Sequence, residues 1–344
     1  MATLLPILAS CKDDEETPTR TQAEVVEITA VFVPGGLGDR GFSDNVYEGI
    51  YRIKEYYKGD QIVAIRPLIP QDEQEAYKYI EQWFADDSSE YRRLLVTVGD
   101  AYGAWFEKNP HWRPKGQDDV LFLDSRVSIE NCYSRYITLY GLSYMAGLFV
   151  KNLGSETPFV LKANNIDFPI NEAANAFWLG YRGTTEHFMN FTLTLADSAN
   201  QGYNLPDSAF QLCTLLNYLG FDFVYPLCGY SNQGLFRFMR SEMAERLDDR
   251  RIYTCGMDAD QYCYSTQILF SIVKRYDLVL EQFVTDWLQH KKMDKKVTFG
   301  LGTEHAVYIV SPLYQDMVDY RFIDSIQQVS IAFEQRYLDS AYAH

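Results

Sequence analysis

Val25-Val26-Glu27-Ile28-Thr29-Ala30-Val31-Phe32-Val33 runs directly into Pro34-Gly35-Gly36-Leu37-Gly38-Asp39-Arg40-Gly41-Phe42-Ser43-Asp44. The first nine residues are apolar or β-branched except Glu27, which predicts a strand covered on both faces. The glycines predict a tight loop, and Asn45 to Tyr57 has helical spacing. A buried strand, a glycine loop and a helix open a parallel α/β unit. The alternation continues. Strand-like runs are expected at Gln61–Ile65, Leu94–Val98, Val120–Leu123, Phe159–Lys162, Phe191–Leu195, Phe223–Leu227 and Ile252–Cys255. Helical spacing marks Gln71–Phe84, Leu142–Leu153 and Thr266–Gln289. At about 150 residues per domain, 344 residues suit two doubly wound parallel-sheet lobes better than one large sheet.

Composition narrows the function. Hydrophobic residues make up 47% and aromatic residues 15%, so packed cores and stacking side chains are plentiful. The formal charge is −16, which offers no phosphate-neutralising surface on average and removes nucleic acid from the expected partners. No apolar run reaches the roughly eighteen residues of a membrane-spanning helix.

The N-terminus suggests an anchor instead. Leu8-Ala9-Ser10-Cys11 has the form cut before the cysteine in bacterial lipoproteins, although the basic region of a secretory signal is missing. Lys12-Asp13-Asp14-Glu15-Glu16 follows, similar to the acidic export signal of surface lipoproteins, and equally readable as a solvated tether. The expectation is lipidation at Cys11 and a location on the bacterial envelope, periplasm-facing or surface-exposed. The other five cysteines are scattered, without a C-x-x-C pair, so no disulfide framework is expected. The five histidines show no metal-binding spacing. No metal and no cofactor are expected, nor a convincing set of catalytic residues.

Gly36, Gly38 and Gly41 satisfy G-x-G-x-x-G between a strand and a helix. Alone, this reads as a dinucleotide loop, and an NAD(P)-dependent oxidoreductase is the enzyme alternative. Asp39 sits where a pyrophosphate would be bound, and the second strand runs into Ile65-Arg66-Pro67 without the acid that holds a ribose.

Asp39-Arg40-Gly41-Phe42-Ser43-Asp44 with Val46-Tyr47-Glu48-Gly49-Ile50 resembles the signature of the basic membrane protein family, the purine-nucleoside receptor lipoproteins of ABC transporters. Gly141-Leu142-Ser143-Tyr144-Met145-Ala146-Gly147, Phe177-Trp178-Leu179-Gly180-Tyr181-Arg182-Gly183, the Gly220–Gly234 segment, Gly256-Met257-Asp258-Ala259-Asp260-Gln261 and Ser271-Ile272-Val273-Lys274-Arg275-Tyr276-Asp277 are similar to further family segments in the same order. The resemblance implies a type I periplasmic-binding-protein fold with two lobes joined by three crossovers. It also implies a nucleoside-like ligand in the cleft, an ABC permease or surface complex as partner, and no catalysis. A sensor not coupled to transport would use the same residues. Expected boundaries are 1–22 for signal and tether, 23–141 plus about 259–296 for lobe 1, and 142–258 plus about 297–344 for lobe 2. A monomer is expected.

The resemblance assigns the site residue by residue. Phe42 and Phe177 would stack on the two faces of a purine. Asp39 would accept from base N–H groups, or cap the following helix. Asp258 would grip vicinal ribose hydroxyls, with Lys274 near the same ribose. Ser43 stands where the family has asparagine, and Gly229-Tyr230 opens a loop whose bulk would reshape the pocket. Asp100 ends a strand without a family counterpart and is read as a ligand group or a helix cap.

Overall fold

The computed structural model describes residues 25–57, 63–86, 90–183, 191–196, 202–241 and 251–341. Cys11 and the 1–22 segment, on which the expected lipid anchor depends, lie outside the described residues.

The chain first builds β1 (Val26–Val31), α1 (Phe42–Tyr56), β2 (Val63–Leu68), α2 (Glu73–Ala85), β3 (Arg92–Val98), α3 (Asp100–Lys108), β4 (Asp119–Leu123) and β5 (Tyr133–Ile137). It then crosses over to form α4 (Tyr140–Asn152), β6 (Pro158–Lys162), α5 (Phe168–Arg182), β7 (Thr192–Thr194), α6 (Pro206–Tyr218), β8 (Phe223–Leu227), α7 (Asn232–Met239), β9 (Tyr253–Asp258) and β10 (Ile268–Lys274). A second crossover returns it for α8 (Tyr276–Leu288) and β11 (Lys296–Phe299). A third leads to β12 (Ala306–Val310) and α9 (Tyr320–Ala341).

Two six-stranded sheets result, ordered β11-β5-β4-β3-β1-β2 and β12-β10-β9-β8-β6-β7. Every pairing is parallel except β10 with β12. The continuous apolar runs read from sequence correspond to β3, β6 and β8, whose residues are buried almost throughout. Helices cover both sheets; α4, packed against α5 and α9, is buried nearly all round, whereas α1 buries a single stripe. In α1 that stripe is Val46, Gly49, Ile50 and Ile53, while Tyr47 and Tyr51 face water. The start of α2 is fixed by Asp72, which accepts from Glu75 N at 2.8 Å, and by Glu75, which accepts from Gln71 N at 2.6 Å.

One expected element is wrong. Thr266–Gln289 is not a single helix: Ile268–Lys274 is a fully buried strand beside β9, and the helix begins at Tyr276. The lobe boundaries move with it. Because β10 belongs to the second sheet, the return to lobe 1 falls at Lys274–Tyr276 rather than near 259, and lobe 1 extends through β11 to Phe299.

The three crossovers are hydrogen-bonded to one another. Thr138 N donates to Phe299 O at 2.9 Å, and Arg275 N donates to His305 O at 2.8 Å. In lobe 2, α4 and α5 approach closely enough that a Cβ on Gly147 or Gly180 would lie 2.1 Å from the facing carbonyl of Phe177 or Tyr144. Those glycines belong to the segments that carry the family resemblance, and here they serve helix packing.

Candidate functional site

In parallel sheets the loops after the strands gather at the carboxyl ends, where ligands bind in open α/β folds. Here those ends face each other across the lobes. Lobe 1 contributes Asp39 and Phe42 after β1, Asp100 after β3 and Asp124 after β4. Lobe 2 contributes Asp167 after β6, Tyr203 after β7, Gly229 and Tyr230 after β8, Asp258 at the end of β9 and Lys274 at the end of β10.

Lys274 is the centre of the arrangement. Its ammonium lies 3.0 Å from Asp258 Oδ1 in its own lobe and 3.3 Å from Asp124 Oδ2 in the other. Tyr276 donates its hydroxyl to Asp124 Oδ1 at 2.7 Å and accepts from Ile137 N at 2.8 Å, so the first and second crossovers are joined beneath the same carboxylate. Lys274 Nζ also sits 5.2 Å from the centre of the Phe42 ring, which meets the Tyr276 ring edge to face at 5.2 Å. Asp124 and Asp258 both have positive φ, 58° and 67°. For aspartate this conformation costs about 1 kcal/mol. Burial pulls the Lys274 ammonium down, but the two carboxylates outweigh it and hold the group above the ordinary lysine range. Burial likewise pushes Asp124 up, with Lys274 and Tyr276 opposing.

Asp100 and Asp167 enlarge the acidic surround. Asp167 Oδ2 accepts from Tyr203 OH at 2.7 Å and Asn164 Nδ2 at 2.9 Å. Loss of hydration, then Asp124, raises Asp100 to about 6. Asp100 is not a helix cap: Gly99, at φ 126°, holds the cap position of α3, and the Asp100 carboxyl turns toward Ser125.

Other expected residues fall elsewhere. Both Asp39 oxygens are occupied by backbone N–H groups at the start of α1, from Gly41 at 2.8 Å, Ser43 at 2.9 Å and Asp44 at 3.3 Å. That is the capping role rather than the base-binding one, and burial raises its pKa despite those bonds. Asp44 in turn accepts from Gly38 N and Arg40 N. The two acids therefore consume the N–H groups that a pyrophosphate would need, which removes the ground for the dinucleotide reading of this loop. Ser43, in the first turn of α1, is fully buried and presents nothing to the cleft. Phe177 is fully buried mid-way along α5, stacked on Tyr225 with ring centres 4.5 Å apart, and cannot stack on a ligand. The aromatic residue at the cleft end of that helix is Phe168, half exposed, with the Arg126 guanidinium of lobe 1 4.5 Å from its ring centre. Gly229 (φ 55°) packs against Tyr203, and Tyr230 beside it is 37% exposed.

The lobes touch along the cleft. Gln261 Nε2 donates to Arg40 O at 2.8 Å, Arg40 lies over Tyr264 at 4.7 Å, and Arg126 faces Glu172 at 3.5 Å.

Comparison with solved structures places this architecture. An ABC transporter solute-binding protein from Aeropyrum pernix K1 aligns with TM-score 0.65 at 18% identity, over 91% of this chain and 86% of that one. A transcriptional activator of the comK gene from Bacillus halodurans aligns with TM-score 0.62 at 17% identity, over 90% and 98%. An ABC transporter solute-binding protein from Agrobacterium vitis with bound allitol aligns with TM-score 0.58 at 11% identity, over 86% and 98%.

The fold is the type I periplasmic-binding fold.

No protein-family profile and no curated protein matches the sequence. In a type I periplasmic-binding fold the three crossovers form the hinge, so Lys274 and Tyr276 sit at the hinge and the cleft together. Asp167, Tyr203, Arg126 and Phe168 are not singled out by the sequence reading, and neither is the central Asp124. Its signal was available, an acid directly after the buried run Leu121-Phe122-Leu123, in the same relation as Asp258 to Gly256-Met257.

Proposed function

We propose that the chain is a solute-binding protein that captures a nucleoside-like molecule, a purine nucleoside foremost, between its lobes and presents the closed form to an ABC importer or surface uptake complex. The observation that carries this reading is the Asp124–Lys274–Asp258 bridge, which spans both lobes at the carboxyl ends of the strands beside the Phe42 ring. Vicinal hydroxyls donate well to a strand-end carboxylate and accept from an ammonium, and a flat base packs on an aromatic face. That one solute-binding protein of this fold holds the polyol allitol supports hydroxyl recognition. Lipid attachment through Cys11 would keep the protein on the envelope beside its permease. The regulators sharing the fold favour a second reading, a sensor whose closure signals to a partner. Calorimetric titration of ligand-stripped protein with purine and pyrimidine nucleosides, their free bases and NADPH tests the proposal. Micromolar or tighter nucleoside binding supports it, and silence toward all nucleosides overturns the assigned ligand.

A further inference from the structure

Glu334 lies on α9 with 3% exposure, and its carboxylate is committed to the hinge. Oε1 accepts from Gly141 N at 2.8 Å, just after the first crossover, and Oε2 accepts from Leu301 N at 2.8 Å, in the third. The seat is shaped for it: a Cβ on Gly141 would lie 2.7 Å from Oε1, and one on Gly300 2.1 Å from Oε2. One carboxylate thus fastens the first turn of α4, where the first crossover ends, and the third crossover to the terminal helix.

We propose that Glu334 is a proton-sensitive latch at the hinge: ionised, it ties the start of α4 and the third crossover to α9 and keeps the lobes apposed; protonated, it frees one tie and lets them part. A carboxylate accepts at both oxygens, whereas a carboxylic acid carries a proton on one of them, so one backbone N–H then faces a donor. Burial raises the group to about 7, against the two N–H bonds and with Glu172 on α5 adding repulsion. That places the switch near neutral pH. Glu172 is itself held by Tyr136 OH at 3.1 Å, by Arg126, and by Tyr337 one turn along α9. His305 on the third crossover packs against Phe299, and burial lowers its pKa, so it adds little charge at neutral pH.

The inference rests on the hinge of the fold and not on the ligand reading, so the test uses the full chain stripped of ligand. Small-angle X-ray scattering at pH 8 and pH 6 should give a larger radius of gyration at pH 6. Glu334→Gln, which keeps one acceptor and places a donor at the other position, should show the expanded value at both. Gly300→Ala, whose methyl displaces Oε2, should do the same and decides the matter if the glutamine variant fails to fold. Asp100→Asn, which removes the cleft group titrating near 6, should keep the wild-type shift. Equal radii for wild type at the two pH values, or a shift that survives in both Glu334→Gln and Gly300→Ala, would overturn the proposal.

Discussion

Asp258 Oδ1 and Lys274 Nζ meet at 3.0 Å because β9 and β10 are neighbours in register, with Val273 the partner of Asp258. The two strands end together, and the next side chain along β10 reaches the carboxylate. The parallel sheet, rather than a local motif, creates the pair. Asp124 joins it from the other lobe.

Lys274→Met leaves Asp124 and Asp258 without their cation in a buried setting. The expected loss is about 3 kcal/mol of unfolding free energy at neutral pH, read by urea denaturation. The deficit should shrink as pH falls and Asp124, whose pKa burial pushes up, takes up a proton. A variant as stable as wild type at neutral pH would show that the bridge is not a structural charge network.

Asp39→Ala removes the acceptor for three N–H groups at the start of α1 and should cost about 1 kcal/mol while leaving ligand affinity within about twofold. Phe42→Ala should instead weaken ligand binding about tenfold, the equivalent of some 1.4 kcal/mol of stacking, with a smaller effect on stability. Parallel titrations and melts separate the two. Reversal of the pattern would return Asp39 to the ligand.

Two opposite pH effects on stability follow from the carboxylates. Burial pushes Asp277 up, but Arg275 and Arg52 more than offset it and hold the group below the ordinary carboxylate range. Its contribution is fully present at neutral pH and is lost as pH falls below about 4. Asp277→Asn should therefore cost about 2 kcal/mol at pH 7 and progressively less toward pH 3. Asp100, raised to about 6, runs the other way: its contribution is present at low pH and is lost as pH rises through that value. Asp100→Asn should flatten the change in melting temperature between pH 4 and 7. A steeper profile would contradict the assignment.

Gly180→Ala drives a methyl toward Tyr144 O, at an expected cost of about 3 kcal/mol. Phe177→Leu should cost about 1 kcal/mol and leave ligand affinity unchanged, since its ring lies in the core. Loss of affinity in a folded Phe177→Leu variant would return that residue to the cleft.

Much of this architecture is legible in the residues themselves. Double-sided burial writes β3, β6 and β8 as largely apolar runs and β1 as one interrupted by Glu27 and Thr29, and the glycine loop announces the first strand-to-helix turn. β10 is hidden because Ile268–Lys274 passes into α8 across Arg275 alone, with no glycine or proline to mark the change. β5 and β11 are short and carry polar residues, so neither strand period nor length flags them, whereas β12, Ala306-Val307-Tyr308-Ile309-Val310, carries the apolar strand signal, which the sequence reading passes over. Asp258 and Lys274 are singled out by the resemblance, and strand register brings them into one ion pair. Phe177 was misplaced because motif similarity ignores helical phase: Ala173, Phe177 and Gly180 share the stripe that packs inward. Asp124 escaped because its partners come from distant segments.

The most direct test is calorimetric titration of wild type and Asp258→Ala with adenosine, guanosine and inosine and with the matching free bases. Asp258→Ala retains the Lys274–Asp124 pair and should remain folded. The account predicts nucleoside binding at micromolar affinity or better, weaker binding of free bases, and a loss of about 10- to 100-fold for nucleosides in the variant, the scale of a charge-assisted hydrogen bond. Equal binding of nucleosides by wild type and Asp258→Ala, or no binding of any nucleoside by wild type, would contradict it.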